Sequence, residues 1–147
     1  MVPLSDSLSI LLIDGHHEER NYYAQRLRLS SSDYNVVQAV TGQAGLAICS
    51  SQSIECVVLE FDLPDLSGFE VLANLVPIAR RPELAVVIHT SLPNVHLLDL
   101  ALKNGAQAAL HKTSGDLLEQ TILKAVATVK QDRKRRNEEM SRLSDLP

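Results

Sequence analysis

Residues Ile54 to Gly68 read IECVVLEFDLPDLSG. Ile54 to Leu59 is apolar at nearly every position and too short for an ordinary helix, which predicts a strand buried on both faces. Pro64 and Gly68 mark Phe61 to Gly68 as a loop. Glu60 therefore falls where a buried strand ends and its loop begins. A carboxylate in that place is either a solvated loop acid or part of a site.

The same grammar repeats on both sides of this segment. Short apolar runs occur at Leu8 to Ile13 (LSILLI), Tyr34 to Val40 (YNVVQAV), Leu84 to His89 (LAVVIH) and, more weakly, Ala106 to Leu110 (AQAAL). Stretches with helical spacing separate them. His17 to Leu29 carries Tyr22, Tyr23, Arg26 and Leu27, and is broken by Ser30 to Asp33. Thr41 is placed to cap a helix over Gly42 to Ser51, and a further helix spans Phe69 to Ile78, with Pro77 near its end. Asn94 is placed to cap a helix that runs to Lys103 and closes at Asn104-Gly105. Ser114 is placed to cap a long helix beginning at Gly115 or Asp116.

Strand and helix thus alternate five times, which predicts right-handed crossovers and a parallel sheet with helices on both faces. Sheets of this kind bind ligands beyond the carboxyl ends of their strands. The residues at those ends are Asp14, Glu60, Thr90 and Lys112.

Composition narrows the function classes. The 147 residues suit one domain and are 45% hydrophobic and 22% charged, as in ordinary globular chains. Aromatic residues make up 3%, with no Trp, so there are few platforms on which nucleic acid bases would stack. The net charge of −4 gives no general attraction to nucleic acid or anionic membrane, although Lys130 to Arg136 (KQDRKRR) is locally basic. Cys49 and Cys56 lack metal-ligand spacing and read as reduced thiols. The start MVPLSDSLS has no signal-peptide pattern, and no apolar run approaches the ~20 residues of a membrane helix. A cytoplasmic location without membrane or direct nucleic acid contact is expected. Nucleophile elbow, Walker loop and paired metal-binding histidines are all missing, so no enzyme activity is expected.

Four blocks in order resemble the receiver domains of two-component response regulators. Ile10 to Asp14 is similar to their first strand and acidic corner. Cys56 to Glu60, with Leu63-Pro64 and Ser67-Gly68, is similar to the third strand, phosphoacceptor position and following loop. Val87 to Ser91 is similar to the fourth strand with its switch hydroxyl, and Gly105-Ala106 with Leu110 to Lys112 to the fifth strand and its lysine. The resemblance implies a flavodoxin-like fold with strand order 2-1-3-4-5, and a phosphoryl group received from a kinase histidine with Mg2+ bridging. In that chemistry acids hold the cation, a lysine pairs with the phosphoryl oxygens and a hydroxyl follows the phosphate.

Three departures bear on that chemistry. The family's acidic pair is here Asp14-Gly15, and Gly15 supplies no carboxylate. The acceptor aspartate is replaced by Glu60, whose extra methylene moves the carboxylate by ~1.5 Å, a displacement that in-line transfer tolerates badly. Ala109 stands where many receivers place an aromatic that turns inward. Thr90 and Lys112 keep the family pattern, and Asp62 adds negative charge at the pocket mouth. The expectation is a pseudo-receiver, a phosphorylation-independent signalling and interaction module, with Glu60 contacting Lys112. Only weak Mg2+ binding, at Asp14, Glu60 and Asp62, is expected. The alternative is a phospho-accepting receiver with a non-standard acceptor.

Other readings of single residues remain open. Asp14 is also placed to cap the first helix, and Thr90 to bond backbone. His16-His17 do not share a helix face and are not expected to bind metal as a pair. His89 and His111 end neighbouring strands and are expected to form ordinary hydrogen bonds. Residues 1–129 form the expected receiver domain and 130–147 a helical extension or linker. Self-association or partner binding is expected through the face of the fourth helix, fifth strand and fifth helix, or through this extension. The extension has too little apolar surface to fold on the domain and either frays as a solvated tail or pairs with a partner helix, or weakly with a second copy through Met140 and Leu143. The expected partners are proteins: a histidine kinase or an effector domain.

Overall fold

The computed structural model describes residues 7–76, 84–113 and 116–146. Five strands, β1 (Leu8–Ile13), β2 (Tyr34–Ala39), β3 (Cys56–Leu59), β4 (Ala85–Thr90) and β5 (Ala108–His111), form one parallel sheet in the order β2-β1-β3-β4-β5. Five helices alternate with them: α1 (His17–Ser30), α2 (Gly42–Ser51), α3 (Gly68–Leu75), α4 (Val95–Lys103) and α5 (Leu118–Ser144). This is the parallel α/β sheet that the alternation of apolar runs predicts, in the flavodoxin-like strand order that the family resemblance implies.

Successive strand residues point to opposite faces, so each central strand feeds two cores. Ile10, Leu12, Val58 and Val87 pack with Leu27 of α1 and Leu118, Ile122 and Val126 of α5. Leu11, Ile13, Val57, Leu59, Val86 and Ile88 pack on the other face with Val71 and Leu72 of α3 and Ala101 of α4. Every residue of β3 and β4 is buried, which is why their sequences are continuous apolar runs rather than alternating ones. The edge strand β5 is only half-buried throughout, in keeping with its weak signal.

The expected caps at Thr41 and Asn94 are made: Thr41 Oγ1 accepts from the Ala44 amide at 3.0 Å and Asn94 Oδ1 from His96 at 3.0 Å. Ser67 caps α3 in the same way through Glu70 at 3.2 Å. Gly105, at φ +107°, ends α4 in a conformation that other residues adopt only with strain. Several boundaries differ from those read in the sequence. β3 begins at Cys56 rather than Ile54, because only from Ile10↔Cys56 onward does it run in register with β1. β4 begins at Ala85 and extends through Thr90. α5 begins at Leu118, the first residue of its buried stripe. The expected end of the third helix at Pro77-Ile78 and the expected cap Ser114 lie outside the described residues.

α5 changes character along its 27 residues. Leu118, Ile122, Ala125, Val126 and Val129 are buried, whereas from Lys130 to Leu146 all but half-buried Arg136 are exposed. No described helix is long and apolar enough to cross a membrane.

Gly68 marks the tightest backbone approach beneath the site. A Cβ there would stand 2.7 Å from Phe61 Cα and 2.9 Å from the Glu60 carbonyl oxygen. Backbone cannot swing aside as a side chain can. Gly68→Ala should therefore destabilise the fold by roughly 1–3 kcal/mol, as overpacking does, and urea unfolding of the variant against wild type measures it.

Candidate functional site

Backbone hydrogen bonds set the four strand-end residues at one level. The Asp14 amide donates to Ala39 O at 3.1 Å, Glu60 to Ile13 O at 3.0 Å and Lys112 to Thr90 O at 2.8 Å. The side chains that converge there carry opposite charges.

Glu60 is 1% exposed. Its Oε1 accepts the Thr90 hydroxyl and the Asp62 amide, the latter at 3.3 Å. Its Oε2 accepts the Ser91 amide at 3.1 Å and faces Lys112 Nζ at 3.1 Å. Thr90 is fully buried, and its Oγ1 in turn accepts from the Leu92 amide at 3.1 Å. Both Glu60 oxygens are thus fully engaged. Glu60 is no solvated loop acid, and the contact with Lys112 expected from the sequence is present.

Asp14 is buried as well. Its Oδ1 accepts from the His16 amide at 2.8 Å and lies 2.9 Å from His16 Nδ1, while Oδ2 accepts from Lys112 Nζ at 2.7 Å. Asp14 does not cap α1: the N-cap position is His16, where no side chain caps the helix, and Asp14 Oδ1 instead accepts from the His16 amide just ahead of the helix while Oδ2 meets the lysine. Lys112 also donates to Glu19 of α1, and its side chain is 7% exposed. Burial pulls the Lys112 ammonium down, but hydrogen bonds and charge from Asp14, Glu19 and Glu60 outweigh it and hold the group above the ordinary lysine value.

Two residues of this network escaped the sequence reading. Glu19 reaches the lysine from the first turn of α1. Arg20 is buried beside it, with Nη1 donating to the Asp14 carbonyl at 2.7 Å, Nε to Gln38 Oε1 at 2.9 Å, and Nη2 3.0 Å from His17 Nδ1. The available signal was an Arg on the helix stripe that also carries Ala24 and Leu27, where a core residue is expected.

The departures from the family pattern also have structural consequences. A Cβ on Gly15 would lie 3.0 Å from Pro64 Cδ and 3.5 Å from Val40 O, so the loop after β3 sits close over this residue. Ala109 pairs with Ile88 in register and contributes a methyl group to the core facing α4. Asp62 is exposed, and its segment forms a bridge with Ser67.

His89 and His111 differ in their surroundings. His111 is half-buried, with Nδ1 2.6 Å from Thr113 Oγ1 and Nε2 3.2 Å from Ser91 O. His89 is buried on the α1–α5 face, edge-on to Tyr23 with centroids 4.6 Å apart. It borders a cavity of about 10 Å³, shared with Asp14, Arg20 and Glu60. Burial, and then the charge of Lys112, lowers its pKa from 6.5 to about 4.

The expected cation set of Asp14, Glu60 and Asp62 is not what the fold assembles. Among the described residues, the His, Asp and Glu atoms close enough to share an ion belong to Asp14, His16 and Glu19, all within 4.8 Å of one another. Mg2+ demands a near-octahedral oxygen shell. Here His16 offers nitrogen, Gly15 offers nothing, both Glu60 oxygens are engaged, and the Lys112 ammonium already lies against Asp14 and Glu19. The arrangement leaves few free oxygens and is compatible with weak Mg2+ binding only.

Parallel order with acids, a hydroxyl and a lysine at the strand ends is the arrangement that the resemblance to receiver domains implies. The chain belongs to the response regulator receiver domain family, which residues 10–126 match. It is 26% identical over 116 residues to a two-component response regulator of Arabidopsis thaliana, covering 73% of this chain and 62% of that protein. It is 30% identical over 122 residues to the transcriptional activator protein ExaE of Pseudomonas putida, covering 83% of this chain and 55% of that protein. The chain spans about half to three-fifths of the length of these relatives. A CheY-like receiver domain protein of Methanospirillum hungatei JF-1 superposes with a TM-score of 0.72 at 25% identity, covering 85% of this chain and 98% of that one. Receiver domains are signalling modules of two-component systems that work with kinases and effector domains, and they bind Mg2+ at the acidic phosphorylation site.

The buried His89 gives the fold a defined acid response. Between pH 6.5 and about 4 the unfolded chain holds a proton on this ring that the folded chain refuses. Stability therefore falls as pH drops through that window, by up to roughly 3 kcal/mol for this group. Urea unfolding at pH 7 and 4.5 should show a smaller loss in His89→Phe than in wild type. Equal losses would contradict the assignment.

Proposed function

We propose that this receiver domain is a pseudo-receiver: a signalling and protein-interaction module whose pocket works without phosphorylation. The observation that carries the reading is the seat of the Glu60 carboxylate. It accepts from the Thr90 hydroxyl and the Ser91 and Asp62 amides and pairs with Lys112. A hydroxyl and a lysine are the groups that follow a phosphoryl anion in this family, and here a side-chain anion already holds them. Glu60 thereby biases the domain toward the conformation that phosphorylation would otherwise select, with one negative charge in place of a dianion.

The alternative, a phospho-accepting receiver with Glu60 as acceptor, needs a carboxylate oxygen free to attack in line. Neither Glu60 oxygen is free, and its side chain is fully buried. Treatment with acetyl phosphate and Mg2+, followed by intact-mass spectrometry, should leave the wild-type chain unmodified. Gly15→Asp with Glu60→Asp should recover some labelling, because Thr90 and Lys112 remain. The carboxylate introduced by Gly15→Asp requires Pro64 to yield by a few tenths of an ångström. A phosphorylated wild-type species would overturn the proposal.

In this reading the partner is a protein, a histidine kinase or an effector domain, and residues 1–129 are the folded module. The exposed length of α5 is the coupling element: a helix with Met140 and Leu143 uncovered is marginal alone and gains from a second helix. Sedimentation of the full chain against one ending at Val129 should show weak, salt-sensitive self-association in the full chain alone. Monomers in both at high concentration would leave the extension as a connector to another domain.

A further inference from the structure

The family's cation finds few free oxygens in this pocket, yet the pocket gathers three carboxylates, Asp14, Glu19 and Glu60, around one point. We propose that the Lys112 ammonium is the resident cation of the site, and that Glu19 is the positioning residue that holds it there in place of the acid missing at Gly15. The domain would then keep its pocket geometry without a divalent ion.

The stoichiometry of donors supports this. An ammonium has three N–H groups and no acceptor. Lys112 Nζ donates to Asp14 Oδ2 at 2.7 Å and to Glu19 Oε2, and lies 3.1 Å from Glu60 Oε2, so three carboxylates surround the ammonium. The side chain is 7% exposed, so these contacts replace its hydration almost entirely. Two of these partners, Asp14 and Glu60, directly follow strands β1 and β3. The third, Glu19, comes from a different element.

The placement of Glu19 follows from the local fold. It lies in the first turn of α1, where a negative charge is favoured by the helix dipole. Its neighbour Arg20 is buried and donates to the Asp14 carbonyl, which locks α1 against the end of β1. That lock fixes Glu19 over the lysine. A carboxylate lost from the loop at Gly15 is thus recovered four residues later, from the helix, and aimed at an internal cation.

This proposal is separable from the reading of Glu60. Phosphorylation of the wild-type chain would defeat that reading and leave the cation question open to its own measurement, and the reverse also holds.

The test uses Mn2+ as the probe, followed by water-proton relaxation. Wild type should bind it weakly. Lys112→Met leaves three carboxylates without their counter-ion and should bind Mn2+ at least about tenfold more tightly. Adding Glu19→Gln to that variant should remove most of the gain. A Lys112→Met chain that folds, as judged by circular dichroism, and binds Mn2+ no better than wild type would overturn the proposal.

A second measurement does not depend on the lysine variant folding. In competitive acylation of the native chain, Lys112 should react at least about tenfold more slowly than exposed Lys103 or Lys124. Glu19→Gln should raise the reactivity of Lys112 several-fold and leave the other lysines unchanged, and Glu19→Asp should restore part of the protection. Lys112 reactivity that is indifferent to Glu19 would show that burial alone shields it, and Glu19 would have no positioning role.

Discussion

A carboxylate buried at the end of a central strand must be answered by donors, and much of this site follows from how Glu60 is answered. Removing an ionised group from water costs several kcal/mol unless charge and hydrogen bonds replace its hydration. Glu60 receives a hydroxyl, two backbone amides and an ammonium. Each donor belongs to a different structural feature: Thr90 to the end of β4, Ser91 to the turn beyond it, Asp62 to the loop after β3, and Lys112 to the end of β5. Satisfying one side chain therefore ties the carboxyl edge of the sheet together. Among the described residues no buried side-chain polar atom lacks a partner.

The tie extends outward through Lys112 to Asp14 and Glu19, and from Asp14 through its carbonyl to Arg20. Partnered in this way, buried charges offset one another's desolvation, though a pair of this kind is weak evidence for added stability. Its clearer effect is geometric. Few side chains here have a second place to go: Thr90 is fully buried, Gly68 lies against the backbone of Phe61, and His89 is wedged beside Tyr23. This packing is in keeping with the pseudo-receiver proposed above. Ala109 points the same way, since a methyl group has no rotamer to turn inward.

Outside the pocket the molecule divides by burial rather than by a break in the backbone. α5 runs unbroken through Val129, its last buried residue, and on to Ser144. One stretch is held by the sheet. The other keeps a tie to the domain, Lys130 Nζ to Glu55 Oε2 at 3.3 Å, and contacts within the helix such as Arg136 Nε to the Asp132 carbonyl at 3.4 Å. Each helical residue past the domain carries the chain about 1.5 Å further from the sheet.

The sequence by itself determined the fold class, the strand order through family resemblance, and the four strand-end residues. Short apolar runs and stretches of helical period leave little freedom once they alternate five times. It also carried the loss at Gly15 and the exchange at Glu60, because a missing or lengthened side chain is visible without coordinates. Only the tertiary structure decided where the carboxylates point. Whether Glu60 faces solvent, a metal or Thr90 depends on a chain crossing that brings β4 beside β3, and no local pattern encodes that rotamer. Glu19 was illegible for the same reason, and Arg20 left only the trace of a charged residue on a core-facing stripe. In sequence they are ordinary polar residues in the first turn of a helix, and they become part of the site only because α1 packs back across the end of β1 and lays one of them on Lys112 and the other on Asp14.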